Sequence, residues 1–191
     1  MASKTEIIDM ALSRLGEDAI MDPDENSNRS RALELVYPVL RDVSLRRHPW
    51  DFARELAALQ PDGTAPAFGY AYRYRLPSSP WCLKALEVED EASYPWRRFG
   101  RHLHSDRAAP LKLTYTKRVT QEGDFDPDFL TVFALELAIW TAKKLTNSSG
   151  LAEKLREEQR ALMAEARSVE SQEARRPPLP MGRYRLARLG G

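Results

Sequence analysis

The feature that most constrains this chain is a change of hydrophobic period, from helical to alternating and back, punctuated by two proline signals. His48-Pro49-Trp50 closes the first helical stretch, because a residue before proline is pushed out of the α region. Asp126-Pro127 reopens one. It supplies an N-cap aspartate, then proline at the first helical position, then Asp128 where the positive end of the helix favours an acid. Between these signals Tyr70, Tyr72 and Tyr74 alternate with Ala71, Arg73 and Arg75. Leu111, Leu113 and Tyr115 repeat the pattern, which is that of half-buried strands. Strands enclosed by helices predict an α+β chain: a bundle of about four helices with a small inserted antiparallel β domain.

The helical parts carry their own start and stop signals. Ser3 and Glu6 form a capping box; Ile7, Ile8, Ala11, Leu12 and Leu15 make one stripe, and Gly16 ends it. Residues 17–27, with Pro23 and several aspartates, read as a turn-rich linker. A second helix begins near Arg29 on Leu33, Val36, Tyr37, Leu40 and Val43, with a kink or repaired turn expected at Pro38. The stretch to Leu145 is apolar almost all round (Phe129, Leu130, Phe133, Leu137, Ile139, Trp140), which predicts a helix in the middle of the bundle. The last helix, Leu151 to about Glu173, has a narrow stripe of Leu151, Leu155, Leu162, Ala166 and Val169, so its other side is left for solvent or another subunit. In the middle, Pro77 to Pro80 is a turn, Trp81 to Val88 a further strand, and Tyr94 to Leu103 an aromatic, arginine-rich continuation of one sheet. The expected boundaries are 1–49 and 120–174 for the bundle, 50–119 for the β domain, and 175–191 for an extended basic C-terminal tail.

Composition excludes several classes. The 191 residues suffice for one core plus a small subdomain. With 29 basic and 28 acidic residues the net charge is +1, so the average charge advertises neither nucleic acid nor an acidic partner. Cys82 is the one cysteine, which excludes an internal disulfide and any multi-cysteine zinc site and fits a reducing compartment. No run of about 18 apolar residues occurs, and MASKTEIIDM has no apolar signal core. Neither a membrane span nor a secretion signal is expected, and synthesis is read as cytoplasmic.

Residues that could carry chemistry have simpler readings. His102 and His104 would share a strand face, but no third ligand lies near, and His48 belongs to its proline turn. Asp124-Phe125-Asp126-Pro127-Asp128 opens like a calcium loop, yet Phe129 stands where the glycine is required and Leu135 where the glutamate is; helix capping accounts for these aspartates. Glu136, an acid inside the buried helix, is read as pairing with an arginine, from this chain or a neighbouring subunit, rather than as a general acid. Cys82 is read as packing. No glycine-rich phosphate loop or nucleophile elbow is present. No enzyme activity, cofactor or metal is expected.

The tail reads differently. Arg175, Arg176, Arg183, Arg185 and Arg188 are interleaved with Leu179, Met181, Tyr184, Leu186 and Leu189. Alternating anchors and arginines in a segment that cannot be helical suit docking on a partner protein with ordering on contact. A disordered terminus and a phosphate-backbone contact are the alternatives.

Several segments resemble the head-to-tail adaptor proteins of tailed bacteriophages, of the tubular tail protein A type. They are IIDMALSRLGEDAI with DPDE, RRHPWDFARELAAL, GYAYRYRLPSSPWCLKALEV, and LKLTYTKRVTQEGDFDPDFLTVFALELAIWTAKKLT, covering roughly residues 5 to 150. Ser78-Ser79-Pro80-Trp81 departs from the pattern, which usually has an aspartate before the cysteine-like position. The resemblance implies a helical bundle with an inserted β domain, assembled as a homo-oligomer, a ring of twelve subunits between the portal and the downstream tail or nozzle protein. DNA would pass transiently through its lumen at the head–tail junction of the virion. The tail residues named above would then bind the portal. Glu136, Arg156, Arg160, Tyr70, Tyr72 and Tyr74 are expected at subunit interfaces, since a narrow stripe and tyrosine-rich strands suit an obligate oligomer. The competing readings are a nucleic-acid-binding module using the tail with Arg97, Arg98 and Arg101, and a cell-wall hydrolase using Glu136 with the aspartates of 124–128.

Overall fold

The two ends of the chain fold together around one helix. A computed structural model describes residues 2–16, 28–145 and 149–173. Helices α1 (Lys4–Arg14) and α2 (Asn28–Arg47) precede the strands, and α3 (Pro127–Leu145) and α4 (Ser149–Glu173) follow them. α3 packs against the other three, as its all-round apolarity requires: Phe129, Phe133, Leu135, Leu137, Ala138 and Ala142 are fully buried. Leu130 and Ile139 are partly buried, and Trp140 is left 43% exposed.

The end signals act as the sequence predicts. The Glu6 amide donates to Ser3 Oγ at 3.2 Å while the Ser3 amide donates to Glu6 Oε2 at 2.7 Å. Gly16 takes the left-handed conformation just past the end of α1, with φ +70°. Asp126 Oδ1 accepts from the Asp128 amide at 2.8 Å, and Pro127 opens α3. α2 runs through Pro38 without ending; the proline sits on the exposed side, so the bond it cannot make faces solvent rather than the core.

Leu33, Val36, Tyr37 and Leu40 of α2 are buried as expected, whereas Val43 is 38% exposed. On α4 the buried stripe is Ala152, Leu155, Gln159, Met163 and Ala166; Val169 falls off it and is exposed.

The exit from α2 is a dense aromatic neck. Trp50 lies 5.4 Å from Phe129 and 4.8 Å from His48, and its indole N–H donates to the Ser44 carbonyl at 3.3 Å. Phe52 and Phe125 close on Phe129 at 5.2 and 5.0 Å. A 3-10 turn at Asp51–Ala53 then leads directly into the first strand.

The β domain holds two three-stranded antiparallel sheets, not the single sheet expected. One has the order β1 (Arg54–Leu59), β6 (Leu111–Lys117), β3 (Cys82–Val88); the other β2 (Tyr72–Arg75), β5 (His102–Ser105), β4 (Trp96–Phe99). The strand β1 escapes the sequence reading, because Glu55-Leu56-Ala57-Ala58-Leu59 favours helix by composition. Pairing of Ala57 with Leu113 and Leu59 with Leu111 overrides that preference. Both sheets contribute to a second core, separate from the bundle's: Leu59, Tyr74, Val88, Leu103, Leu111, Leu113 and Tyr115. Leu83 on β3 packs instead into the helical core, fixing the β domain to the end of α2. The architecture is α+β.

Candidate interaction surfaces

The residues expected at interfaces have different fates. Arg175, Arg176, Leu179, Met181, Arg183, Tyr184, Arg185, Leu186, Arg188 and Leu189 lie outside the described residues. Arg156 and Arg160 stand exposed on α4. Tyr70 is half-buried with its ring 6.0 Å from His104, and Tyr72 is half-buried against Tyr74 at 6.3 Å.

Tyr74 is a correction: it is fully buried, and its hydroxyl donates to the Arg107 carbonyl. Alternation correctly places Tyr72 and Tyr74 on one face of β2, but that face is turned toward the second sheet; Tyr70 precedes the strand and packs on His104, on the other face. The Tyr74 ring therefore fills the core between sheets and reaches no other subunit. Glu136 is paired with an arginine, as expected. Its carboxylate takes both Nη groups of Arg47, with Nη2 to Oε1 at 3.2 Å, and also accepts from Gln159 Nε2 at 2.6 Å. The arginine belongs to the same chain, so the acid needs no partner from another copy.

The apolar surface that does lie open was not read from the sequence. Leu35 is 77% and Val39 61% exposed, and with Val43 they form a straight stripe at four-residue spacing along α2. Its signal was present, as two large apolar residues on the polar side of an otherwise amphipathic helix. On the β domain, Phe68 is 89% exposed beside Phe99, where Pro66, Tyr70, Arg97 and His104 complete an open hollow.

A cluster of guanidinium groups surrounds the start of β3. Arg46 from α2 and Arg98 from β4 donate to the same oxygen, the Leu83 carbonyl, at 2.5 and 3.2 Å. Arg101 donates to the carbonyls of Cys82, Leu76 and Pro77. Its guanidinium lies 3.9 Å from the centre of the Trp81 ring, and that of Arg118 lies 5.5 Å from it. Arg118 pairs with Asp42, which also accepts from Arg41. Burial, reinforced by the positive charges of Arg98, Arg75 and Arg118, lowers the pKa of Arg101 below the ordinary guanidinium value. Burial likewise pushes the Cys82 thiol up, against the pull of Arg98, Arg101 and Arg46, which keeps it a packed thiol rather than a nucleophile.

Elsewhere the polar groups brace structure. His102 Nε2 lies 3.2 Å from Asp62, whose carboxylate also takes the Nε of Arg73 at 2.8 Å. His104 sits against Phe99 at 4.9 Å. Among the described residues no three His, Cys, Asp or Glu side chains converge as metal ligands, and no helix is long and apolar enough to cross a membrane. Compared with models of known protein families and with curated proteins, the sequence matches none.

Proposed function

We propose that this chain is a structural head-to-tail adaptor of a tailed bacteriophage, a ring-forming subunit that joins the portal to the tail and surrounds the passing DNA. The observation that carries this reading is the neck. The HPWDFA residues, on which the resemblance most depends, leave α2 at Arg47, pack Trp50 and Phe52 on α3, and deliver the chain into β1 at Arg54. An inserted β domain rigidly fixed to a helical bundle is the layout such an adaptor requires. The stripe of Leu35, Val39 and Val43 supports it further, since apolar side chains aligned along an outer helix gain when a second copy covers them. In this reading the bundle packs side by side around the ring, the β domain faces the tail, and residues 175–191 anchor on the portal. The reaction is assembly, with no chemical step.

The test is cryo-electron microscopy of the full chain mixed with the portal protein of the same genome, beside a variant truncated after Arg175. A ring seated on the portal that the truncation abolishes is the expected result. If neither form binds the portal, the adaptor reading fails.

A further inference from the structure

We infer that the arginine cluster at the junction of bundle and β domain is a binding site for the phosphate backbone of a nucleic acid, read by charge and not by base. Arg46, Arg98, Arg101 and Arg118 come from α2, the β4–β5 hairpin and the residue just after β6, so only the folded chain assembles them. Three of them, Arg46, Arg98 and Arg101, are held by main-chain carbonyls instead of carboxylates. A carbonyl fixes a guanidinium in place without neutralising it, which leaves the positive charge and the remaining N–H groups for a ligand. The carboxylate within the group is Asp42, which Arg118 and Arg41 share, so positive charge is in excess. Arg118 Nε is buried and has no hydrogen-bond partner.

Like charges gathered this closely repel one another, and an anion with several oxygens relieves that repulsion. Three features favour a phosphodiester chain over an acidic protein segment. The cations spread over several elements, matching a ligand that carries one charge on every unit. The open apolar hollow that a peptide's anchoring side chains need lies elsewhere, around Phe68 and Phe99. The Trp81 ring is occupied by guanidiniums, so it holds cations in place and is not offered to a base.

The same strand provides an internal control. Arg97 and Arg98 are adjacent and point to opposite faces; Arg97 lies over Phe99, away from the cluster. The inference does not depend on ring formation, and its test needs no portal.

The experiment is fluorescence anisotropy of the full chain with a labelled 30-base-pair duplex across a salt series. It compares the wild type, the double variant Arg46→Gln/Arg118→Gln, and Arg97→Gln. Arg46 is exposed and the Arg118 side chain is 37% exposed, and circular dichroism with thermal unfolding verifies that each variant is folded. The wild type is expected to bind with a steep salt dependence. The double variant should reduce the slope of log K against log salt by about two, equally for AT-rich and GC-rich duplexes, while Arg97→Gln leaves it unchanged. The proposal is overturned if the wild type binds no duplex at low salt, or if the double variant and Arg97→Gln change the slope alike. It is also overturned if polyglutamate of equal charge displaces the duplex at equal concentration, which would make the site one for carboxylates.

Discussion

At the scale of the residue, the polar groups with the largest consequences are those held between elements. Glu136 has a side chain 14% exposed and is satisfied by Arg47 and Gln159 together. Removing Arg47 strands a nearly buried carboxylate, although Arg47 itself is 44% exposed, so solvent compensates part of the loss. Arg47→Ala should cost about 1–2 kcal/mol in urea unfolding, at the low end for broken buried pairs. A change within about 0.3 kcal/mol would mean the pair contributes nothing. Asp62 gives a pH-dependent counterpart. The hydrogen bond from Arg73, aided by the Thr64 amide and by the charges of Arg73 and His102, holds its carboxyl below the ordinary value against the opposing effect of burial. A depressed folded pKa means the contribution is fully present above the unfolded value of about 3.9 and is lost as pH falls through the folded one. The Thr64 amide, 3.2 Å from Asp62 Oδ1, should therefore shift by NMR with a midpoint below that of a free aspartate. A midpoint at or above it would contradict the arrangement.

At the scale of the element, α2 links both halves of the molecule and bears an avoidable defect. Its 20 residues continue through Pro38, which lacks the N–H for one helical bond. Pro38 is exposed, so alanine meets no packing there. Pro38→Ala should stabilise the chain by roughly 1–3 kcal/mol, reduced somewhat by the greater freedom of the unfolded chain. Thermal unfolding measures this, and an unchanged or lower Tm would show that the proline serves the packed geometry of α2. The strand β1 illustrates the opposite relation between element and sequence. Its residues prefer helix, and they form a strand only because β6 offers a paired edge and Leu59 enters the second core.

At the scale of the whole molecule, a single copy leaves Leu35, Val39 and Val43 open while two separate cores are well filled. Leu35→Asp/Val39→Asp should leave the unfolding midpoint nearly unchanged, since both side chains are already in water, yet abolish self-association seen by analytical ultracentrifugation. If the wild type shows no association on or off the portal, the stripe is not a subunit contact. The sequence alone determined the helices, their caps and the interruption of a bundle by strands. Ser3 with Glu6, Asp126 with Pro127, and the tyrosine and leucine alternations are signals carried within a few residues. Tertiary structure decided which way those faces point. Tyr74 became core because a second sheet lies against it, Glu136 found its arginine 89 positions away, and arginines from α2, the β4–β5 hairpin and the end of β6 met around the start of β3. Local periodicity fixes the faces of an element, but the partner of each face depends on how distant segments pack, and no short window of sequence contains that information.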